Sequence, residues 1–281
     1  MKLLQQTRLN DFSWTLFPSD CLCKSIIDQV MWEPHILSFM RAFIKPGDIV
    51  IDAGACFGWH TLEMARLVGP DGTVFAFEPC KANRKLLVNN IQANRFTNVV
   101  VSAKAVGEAA DADARLFVLR DEMGNIGDNY ISPASLPDPG PTFYPMAAPV
   151  TTIDIAVCES PIKFMKVDVQ GAEILALKGA SKTIMSSRPV MTIEFEDISL
   201  NRYGITSFDL RDYIYSLDYV IYQMESDYPA DTICVPNEKN PSFRETFANQ
   251  IKPNDIQHKV SFNNTVGVPE KIAMILIGTE R

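Results

Sequence analysis

A carboxylate followed at once by a glycine-containing loop is the most informative chemical pattern in the chain. Residues 50–58 read VIDAGACFG, so an apolar strand ends at Asp52, with Gly54 and Gly58 just beyond. Glycines allow positive φ angles and let a ligand approach the backbone closely. A dinucleotide loop reads G-x-G-x-x-G, which this loop lacks, and an acid before it would repel a pyrophosphate. The pattern favours a cationic ligand such as S-adenosylmethionine, whose carboxylate suits the helix N-terminus.

A second carboxylate, Glu78, ends the next apolar run, which reads FAFEP over residues 75–79. An acid at the end of the second strand can accept hydrogen bonds from both ribose hydroxyls of an adenosine. The alternative is a local role at a helix start, since Pro79 suits the first helical turn. Position and spacing favour the ribose role.

A third pattern, FMKVDVQGAE over residues 164–173, places Asp168 at the end of another apolar strand. Ligands of open α/β sheets bind outside the carboxyl ends of the strands, so Asp168 is expected near the transferred group. Glu173 would begin the following helix. Its negative charge there also suits the helix dipole without any catalytic role.

These carboxylates need a parallel sheet to bring them together. Strands alternate with helices from residue 49 onwards, which predicts an α/β fold with helices on both faces of the sheet. The predicted strands are 49–51, 73–77, 99–103, 115–119, 150–153, 162–167 and 190–195, with a closing hairpin at 219–224 and 232–235. The predicted helices include 59–68, 81–94 and 172–185, the last with a break at Gly179.

Three regions flank or interrupt this core. We expect residues 1–44 to form a helical segment that packs on it, and residues 45–236 to form the main domain. Residues 121–149 are rich in Gly, Pro, Asn and Asp and predict an irregular insertion that covers the site or sets specificity. Residues 237–281 predict a C-terminal extension with a terminal strand at 272–278.

Composition excludes several function classes. The 281 residues are 47% hydrophobic and carry a net charge of −8, which argues against nucleic-acid and anionic-membrane partners. We expect no transmembrane segment and no signal peptide, because the apolar runs are too short. The six cysteines include no C-x-x-C pair, which favours reduced thiols in a cytoplasmic protein. A homo-oligomer is left open.

Several blocks together resemble the FkbM family of S-adenosylmethionine-dependent methyltransferases. The blocks are IDAGACFGWHT (51–61), FEPCKANRKLLVNNI (77–91), AVGE (105–108), TTIDIAV (151–157), MKVDVQGAEILALKGA (165–180), RPVMTIEFE (188–196) and DTICVP (231–236). The resemblance implies a class I methyltransferase (Rossmann-like) fold with a seven-stranded, mostly parallel sheet and a closing antiparallel hairpin. It also implies O-methylation of a sugar, glycan or other small hydroxylated acceptor. Cys56-Phe57 departs from the Asn-Ile often found in the family, but the glycines remain.

On this basis we assign the donor contacts. Asp52, Gly54, Gly58 and Thr61 are expected at the methionine end of S-adenosylmethionine, and Glu78 at the ribose. Asp168 is expected at the donor amino group or the acceptor hydroxyl. The remaining cofactor-binding candidates, of which the last two would border the adenine, are Ala55, Pro79, Asn83, Ala105 and Val106.

Transfer to oxygen needs a general base, because a hydroxyl is a poor nucleophile until its proton is removed. The candidates are Asp168, Glu173, Glu194 and His60. Oxygen ligands at Asp168, Glu194 and Glu196 would suit magnesium, but no metal is expected. The competing functions are a nicotinamide-dependent oxidoreductase and a non-catalytic partner subunit that keeps the fold.

Overall fold

A computed structural model describes residues 4–28, 31–111, 114–119, 125–132, 140–224, 231–247 and 251–253. The strands are β1 (Gln5–Leu9), β2 (Phe12–Leu16), β3 (Ile49–Ala53), β4 (Thr73–Phe77), β5 (Val99–Ser102), β6 (Ala105–Val106), β7 (Arg115–Leu119), β8 (Tyr130–Ser132), β9 (Phe143–Ala147), β10 (Val150–Thr151), β11 (Ile162–Val167), β12 (Val190–Glu194), β13 (Tyr219–Met224), β14 (Asp231–Pro236) and β15 (Ile251–Pro253). The helices are α1 (Cys21–Ile27), α2 (Pro34–Phe43), α3 (Trp59–Val68), α4 (Lys81–Ala93), α5 (Ile153–Val157), α6 (Glu173–Lys178), α7 (Ser181–Ser187), α8 (Asp197–Asn201), α9 (Ser207–Ser216) and α10 (Asn240–Phe247), with a 3₁₀ turn at Asn237–Lys239.

The central sheet has the strand order β15-β13-β14-β12-β11-β3-β4-β5. Strands β5, β4, β3, β11 and β12 are parallel, and β14, β13 and β15 are antiparallel. The predicted seven-stranded, mostly parallel sheet with its closing hairpin is therefore confirmed, and β15 adds an eighth strand at one edge. The carboxyl ends of the parallel strands lie along a single edge of this sheet.

Alternation along the strands divides the core into two faces. Val50 of β3 and Phe164 of β11 pack with α1, α2, α3, α4 and α10 on one face. Ile51 and Met165, the next residues along, pack with helices α5 to α9 on the other face. Asp52 and Lys166 follow the register of the first face, so both side chains point towards α2 and α3.

The N-terminal segment does not begin with a helix. Strands β1 and β2 form an antiparallel hairpin before α1 and α2, so the segment predicted to be helical over 1–44 contains two strands as well as two helices. Asn10 and Asp11 both have positive φ angles and make the tight two-residue turn that joins the strands. Phe12, Trp14 and Leu16 alternate inward and are buried, which anchors the hairpin to the core.

The insertion is also more regular than expected. Strands β8 and β9 lie in the insertion and pair antiparallel with β7 on either side, so an irregular structure was the wrong prediction for 130–132 and 143–147. The prolines of this region argued against strands, because proline has no N–H to donate within a sheet. Pro145 is nevertheless compatible with β9, because β9 is an edge strand. Residues 133–139 lie outside the described part of the insertion.

The C-terminal extension adds α10 and β15 to the core. Phe243 and Phe247 of α10 are buried and pack against Phe39 of α2. The strand predicted at 272–278 lies outside the described residues. None of the helices in the described ranges is long and apolar enough to cross a bilayer.

Gly54 is required by the way β3 meets β11. Its φ is +90°, and a Cβ placed there would lie 1.8 Å from the Asp168 carbonyl oxygen. Gly47 has nearly the same φ, +87°, but nothing lies within 4 Å of its Cβ position. Comparing alanine substitutions at these two glycines therefore distinguishes the cost of the positive φ angle, which both share, from the cost of the close contact, which only Gly54 has.

We expect Gly54→Ala to lower the free energy of unfolding by more than about 4 kcal/mol, because the methyl group must displace the backbone of Asp168. Gly47→Ala, the matched control, should lose only about 1 kcal/mol from its unfavourable φ. Urea denaturation of both variants measures the difference. Equal losses would show that Gly54 is not held by this contact.

Candidate active site

The carboxyl edge of the sheet brings charged side chains from four adjacent strands together. In the strand register Lys166 of β11 lies between Asp52 of β3 and Thr192 of β12. Glu194 ends β12 and lies opposite Asp231, the first residue of β14. All five are on the face that packs against α2 and α3.

Asp52 is buried and has one oxygen available to a ligand. Its Oδ2 accepts a 2.5 Å hydrogen bond from the hydroxyl of Thr61, a residue in the first turn of α3. Its Oδ1 is buried and has no hydrogen-bond partner within the described residues. Because a buried carboxylate oxygen without a partner is unfavourable, this atom is suited to accept a hydrogen bond from a bound cation.

The loop after β3 is held by backbone hydrogen bonds to β4. The amides of Gly54 and Ala55 both donate to the carbonyl of Phe77, at 3.1 Å and 3.0 Å. At Gly58, where φ is +101°, a Cβ would come within 2.8 Å of Leu87. The protein's own packing thus explains both glycines, and their contact with a ligand stays a prediction.

Glu78 fixes the same loop from the end of β4. Its Oε2 accepts the amide of Cys56 at 2.8 Å, and its Oε1 accepts the amide of Cys80 at 2.7 Å. Burial raises the pKa of Glu78 to about 8, although these two amide hydrogen bonds oppose the increase. The structure therefore shows Glu78 as a brace of the glycine loop, and its ribose contact stays a prediction.

Part of the insertion lies over this loop. We call residues 125–132 the cover segment. The Asn83 side-chain amide donates to the carbonyl of Ile126 at 2.7 Å, and the Ile126 amide donates to Asp20 at 2.7 Å. Asn83 Oδ1 is buried without a partner in the described ranges. Two residues further along, Asp128 pairs with Arg202 at 2.7 Å. The cover segment is thus anchored near its start by contacts at Ile126 and Asp128.

The other predicted donor contacts lie around the ends of β4 and β5. Pro79 follows Glu78, and its carbonyl accepts from Arg84 at 2.9 Å. Ala105 and Val106 form β6, which pairs in parallel with β10, and both are buried. Their contact with an adenine stays a prediction.

Asp168 is part of a charged chain along the sheet edge. Its Oδ2 accepts from the ammonium of Lys166 at 2.7 Å, and its Oδ1 accepts from the Gln170 amide at 3.1 Å. The same Gln170 amide lies 3.3 Å from Glu194. Burial, reinforced by the neighbouring carboxylate of Asp168, raises the pKa of Glu194 well above its usual range.

Glu173 braces the turn that precedes α6. Its Oε1 accepts the amides of Val169 and Gly171 at 3.0 Å and 3.2 Å. Its Oε2 is buried and has no partner in the described part of the chain. Burial raises the pKa of Glu173 to about 7, with the amide hydrogen bonds opposing the increase.

His60 forms a buried pair that was not foreseen. Its Nε2 lies 3.1 Å from Oε2 of Glu33, the residue before α2. Burial alone would raise the pKa of Glu33. The hydrogen bond and charge of His60 and the charge of Lys166 outweigh it and lower the pKa to about 2. Within the described ranges, no three His, Cys, Asp or Glu side chains are grouped so as to hold a metal ion.

Sequence reasoning missed four ionisable residues of this edge: Glu33, His35, Lys166 and Asp231. Lys166 is 3% exposed in the middle of an apolar strand, which is a detectable signal because a buried lysine needs partners. Although burial alone would lower its pKa, Asp168, Glu33 and Asp52 raise it. His35 and Asp231 carry no local signal because they are 196 residues apart.

Fold and site together define a class I methyltransferase: a mostly parallel sheet, an acid at the end of β3 and a glycine loop after it. Residues 52–221 match the family profile described as the methyltransferase FkbM domain. This match takes in more than half of the chain, which therefore belongs to the FkbM methyltransferase family. S-adenosylmethionine is the methyl donor of this family.

Individual relatives match over shorter stretches. The chain is 32% identical over 75 residues to a protein-L-isoaspartate O-methyltransferase of Ignicoccus hospitalis, covering 26% of this chain and 36% of that protein. It is 30% identical over 89 residues to a protein of the same name from Methanopyrus kandleri, covering 30% and 39%. The chain therefore spans well under half of the length of these curated relatives.

Solved structures resemble the fold at low identity. An FkbM methyltransferase from Methylobacillus flagellatus has 19% identity and a TM-score of 0.45, covering 71% of this chain and 50% of that one. An S-adenosylmethionine-dependent O-methyltransferase from Thermotoga maritima has 14% identity and a TM-score of 0.44, covering 83% and 77%.

The residues present fit this donor. Asp52 Oδ1 and Asn83 Oδ1, both buried without a partner among the described residues, lie on elements that adjoin the glycine loop. Both oxygens can accept hydrogen bonds, and the ammonium and hydroxyl groups of S-adenosylmethionine can donate them. The predicted donor residues on β3, α3, β4 and α4 are thus gathered at one end of the sheet.

Glu173 makes the stability of the free protein depend on pH. With a pKa of about 7 in the fold against an ordinary value of 4.5, it keeps a proton that the unfolded chain has lost in this range. Stability contributed by this group is therefore present below about pH 4.5 and is lost as the pH rises through 7.

We expect Glu173→Gln to remove this loss while keeping an oxygen for the two turn amides. From pH 5 to pH 8, the free energy of unfolding should fall by about 2 kcal/mol less in the variant than in the parent. Urea titrations at several pH values measure it, with the exposed Asp212→Asn as a control for charge removal. Parallel pH profiles of parent and variant would contradict the assignment.

Proposed function

We propose that this chain transfers a methyl group from S-adenosylmethionine to a hydroxyl oxygen of a sugar, a glycan or another small hydroxylated acceptor. The observation that carries the proposal is the buried, unpartnered Oδ1 of Asp52 within the described site. A carboxylate oxygen without a partner at the end of β3 suits a cationic donor rather than a pyrophosphate. Membership of the FkbM family supports methyl transfer over nicotinamide chemistry.

The donor would be held by the residues around the glycine loop. Asp52, positioned by Thr61, would accept the donor ammonium, and the loop amides near Gly58 would face its carboxylate. Glu78 would accept from the ribose through lone pairs that the Cys56 and Cys80 amides leave free. When bound, S-adenosylmethionine supplies an electrophilic methyl carbon and a sulfur leaving group.

Two features support an oxygen acceptor. The relatives from Ignicoccus hospitalis and Methanopyrus kandleri are named as O-methyltransferases. Carboxylates and histidines line the sheet edge beyond Asp168, where a proton acceptor is needed for a hydroxyl. Asp168, Glu173, Glu194 and His60 remain candidates for this role.

The cover segment would align the acceptor and exclude water. Its two anchors, at Asp20 and Arg202, lie on opposite sides of the carboxyl edge. Holding two reactants in line supplies a large part of the rate of a displacement reaction. Tyr130 of the cover segment lies beneath the Arg202 guanidinium, 4.8 Å from ring centre to Cζ, which stiffens this part.

The net charge of −8 bears on the kind of acceptor, and the six free thiols bear on the location of the protein. An acidic protein repels nucleic-acid phosphates, so we propose a small-molecule or glycan acceptor rather than RNA. Free thiols are typical of the reducing cytoplasm, which we propose as the location.

Donor binding can be tested without knowing the acceptor. We expect Asp52→Asn to weaken the binding of S-adenosylhomocysteine at least about 30-fold, because the charge that faces the donor ammonium is removed. Isothermal titration calorimetry measures the affinity, and Asp212→Asn, at an exposed residue of α9, is the matched control for removal of a carboxylate. Parental affinity in Asp52→Asn would rule out this donor assignment.

The acceptor class can be tested by methyl transfer. With tritium-labelled S-adenosylmethionine, we expect label in fractionated glycans or small hydroxylated compounds and in base-stable linkages, since ethers resist hydrolysis. Total RNA and denatured protein serve as the competing acceptors. Label confined to RNA or protein would contradict the acceptor class, and a parent enzyme that binds donor but labels nothing would contradict the activity.

A further inference from the structure

Each of the four proton acceptors predicted from the sequence also holds another part of the described site in place. Glu173 uses one oxygen to hold the turn before α6, and Asp168 is paired with Lys166 and Gln170. Glu194 shares Gln170 with Asp168. His60 is buried, with its Nε2 turned to Glu33. Each of these groups already has a role inside the protein.

A histidine–aspartate pair lies at the same sheet edge. Nε2 of His35 is 2.6 Å from Oδ2 of Asp231, and their side chains are 12% and 7% exposed. A carboxylate that accepts from one ring nitrogen fixes the tautomer and leaves the other nitrogen with its lone pair. Within the described ranges, the contact with Asp231 is the hydrogen bond that the His35 ring makes, and it uses Nε2. With the Nε2 proton donated to Asp231, Nδ1 is the ring nitrogen left to accept a proton.

The pair lies at the carboxyl edge of the sheet, beside the other ionisable groups of the site. Asp231 begins β14 opposite Glu194, the last residue of β12, so it lies at the carboxyl edge. Burial raises the pKa of Asp231 to about 6, while the ammonium of Lys166 and the His35 ring lower it and Glu33 raises it. Lys166 in turn neighbours Asp52 in the sheet. The ionisable groups of β3, β11, β14 and the start of α2 are therefore close together.

His35 is also held rigidly. It is the second residue of α2, and the turn before α2 is fastened to α3 because the Trp59 indole donates to the Trp32 carbonyl at 2.9 Å. The Trp32 indole donates to Glu33 at 2.7 Å. Leu37 and Met40 bury the same helix against the core. A side chain on a fixed helix start can hold a proton acceptor in one position.

We propose that the His35–Asp231 pair is the general base of the methyl transfer, an inference that rests on the proposed function. The acceptor O–H bond breaks and its proton moves to Nδ1 of His35. The acceptor oxygen forms a bond to the methyl carbon as the carbon–sulfur bond breaks, and that electron pair remains on sulfur. Asp231 stabilises the imidazolium, which later releases the proton to water.

The tautomer is tested first, because it needs no acceptor. In the ¹⁵N-histidine NMR spectrum of the full chain at about pH 8, His35 should show a protonated Nε2 and an unprotonated Nδ1. The sequence has three histidines, so the His35→Gln variant assigns the signal. A ring protonated at Nδ1, or at both nitrogens, would overturn the proposal.

The kinetic test uses a variant that keeps the contact with Asp231. Gln can still donate to Asp231 but cannot take a proton, so His35→Gln should lower kcat about 100-fold or more with parental S-adenosylhomocysteine affinity. The assay uses the acceptors labelled in the transfer screen, and Asp212→Asn is the control. Added imidazole should partly restore His35→Ala, which a purely structural role would not allow.

The outcomes separate the two proposals. Parental turnover in His35→Gln, or a His35→Ala variant that imidazole leaves unchanged, would overturn the assignment of the base while methyl transfer by the parent stands. A parent that methylates no acceptor would overturn the proposed function itself.

Discussion

The buried ammonium of Lys166 is the interaction on which the carboxyl edge depends. A lysine on an inner strand would be strongly unfavourable without partners, and three carboxylates supply them: Asp168 in direct contact, with Asp52 and Glu33 nearby. Each partner comes from a different element. The requirement to neutralise one buried charge therefore connects β3, the end of β11 and the start of α2.

Two consequences follow for the site. Asp52 does not contact Lys166 directly, so its Oδ1 stays available, while the nearby positive charge keeps a buried carboxylate tolerable. Glu33, drawn towards His60 and Lys166, fixes the start of α2 and thereby the position of His35. The charge pattern that stabilises the edge thus also places the groups proposed to bind donor and acceptor.

Much of this arrangement could be predicted from the sequence. Apolar runs that end in an acid gave the parallel strands and placed Asp52, Glu78 and Asp168 at one edge, as observed. The break at Gly179 is confirmed, since α6 ends at Lys178 and α7 begins at Ser181. These features are local, and hydrophobic periodicity encodes them directly.

The missed features depend on contacts between distant residues or on unusual turns. The hairpin turn Asn10-Asp11 lacks the glycine that signals a tight turn. The prolines of the insertion argued against the strands that it contains. Neither His35 nor Asp231 has a local pattern that reveals the other. The internal hydrogen bonds of Glu78 and Glu173 could not be foreseen either, because they depend on where loop amides point.

A crystal structure with bound S-adenosylhomocysteine would show directly whether Asp52 binds the methyl donor. We expect the ligand's amino group within hydrogen-bond distance of Asp52 Oδ1, and its sulfur on the side that faces Asp168 and the His35–Asp231 pair. A ligand bound away from the end of β3, or one that makes no contact with Asp52, would show that the donor site has been placed wrongly.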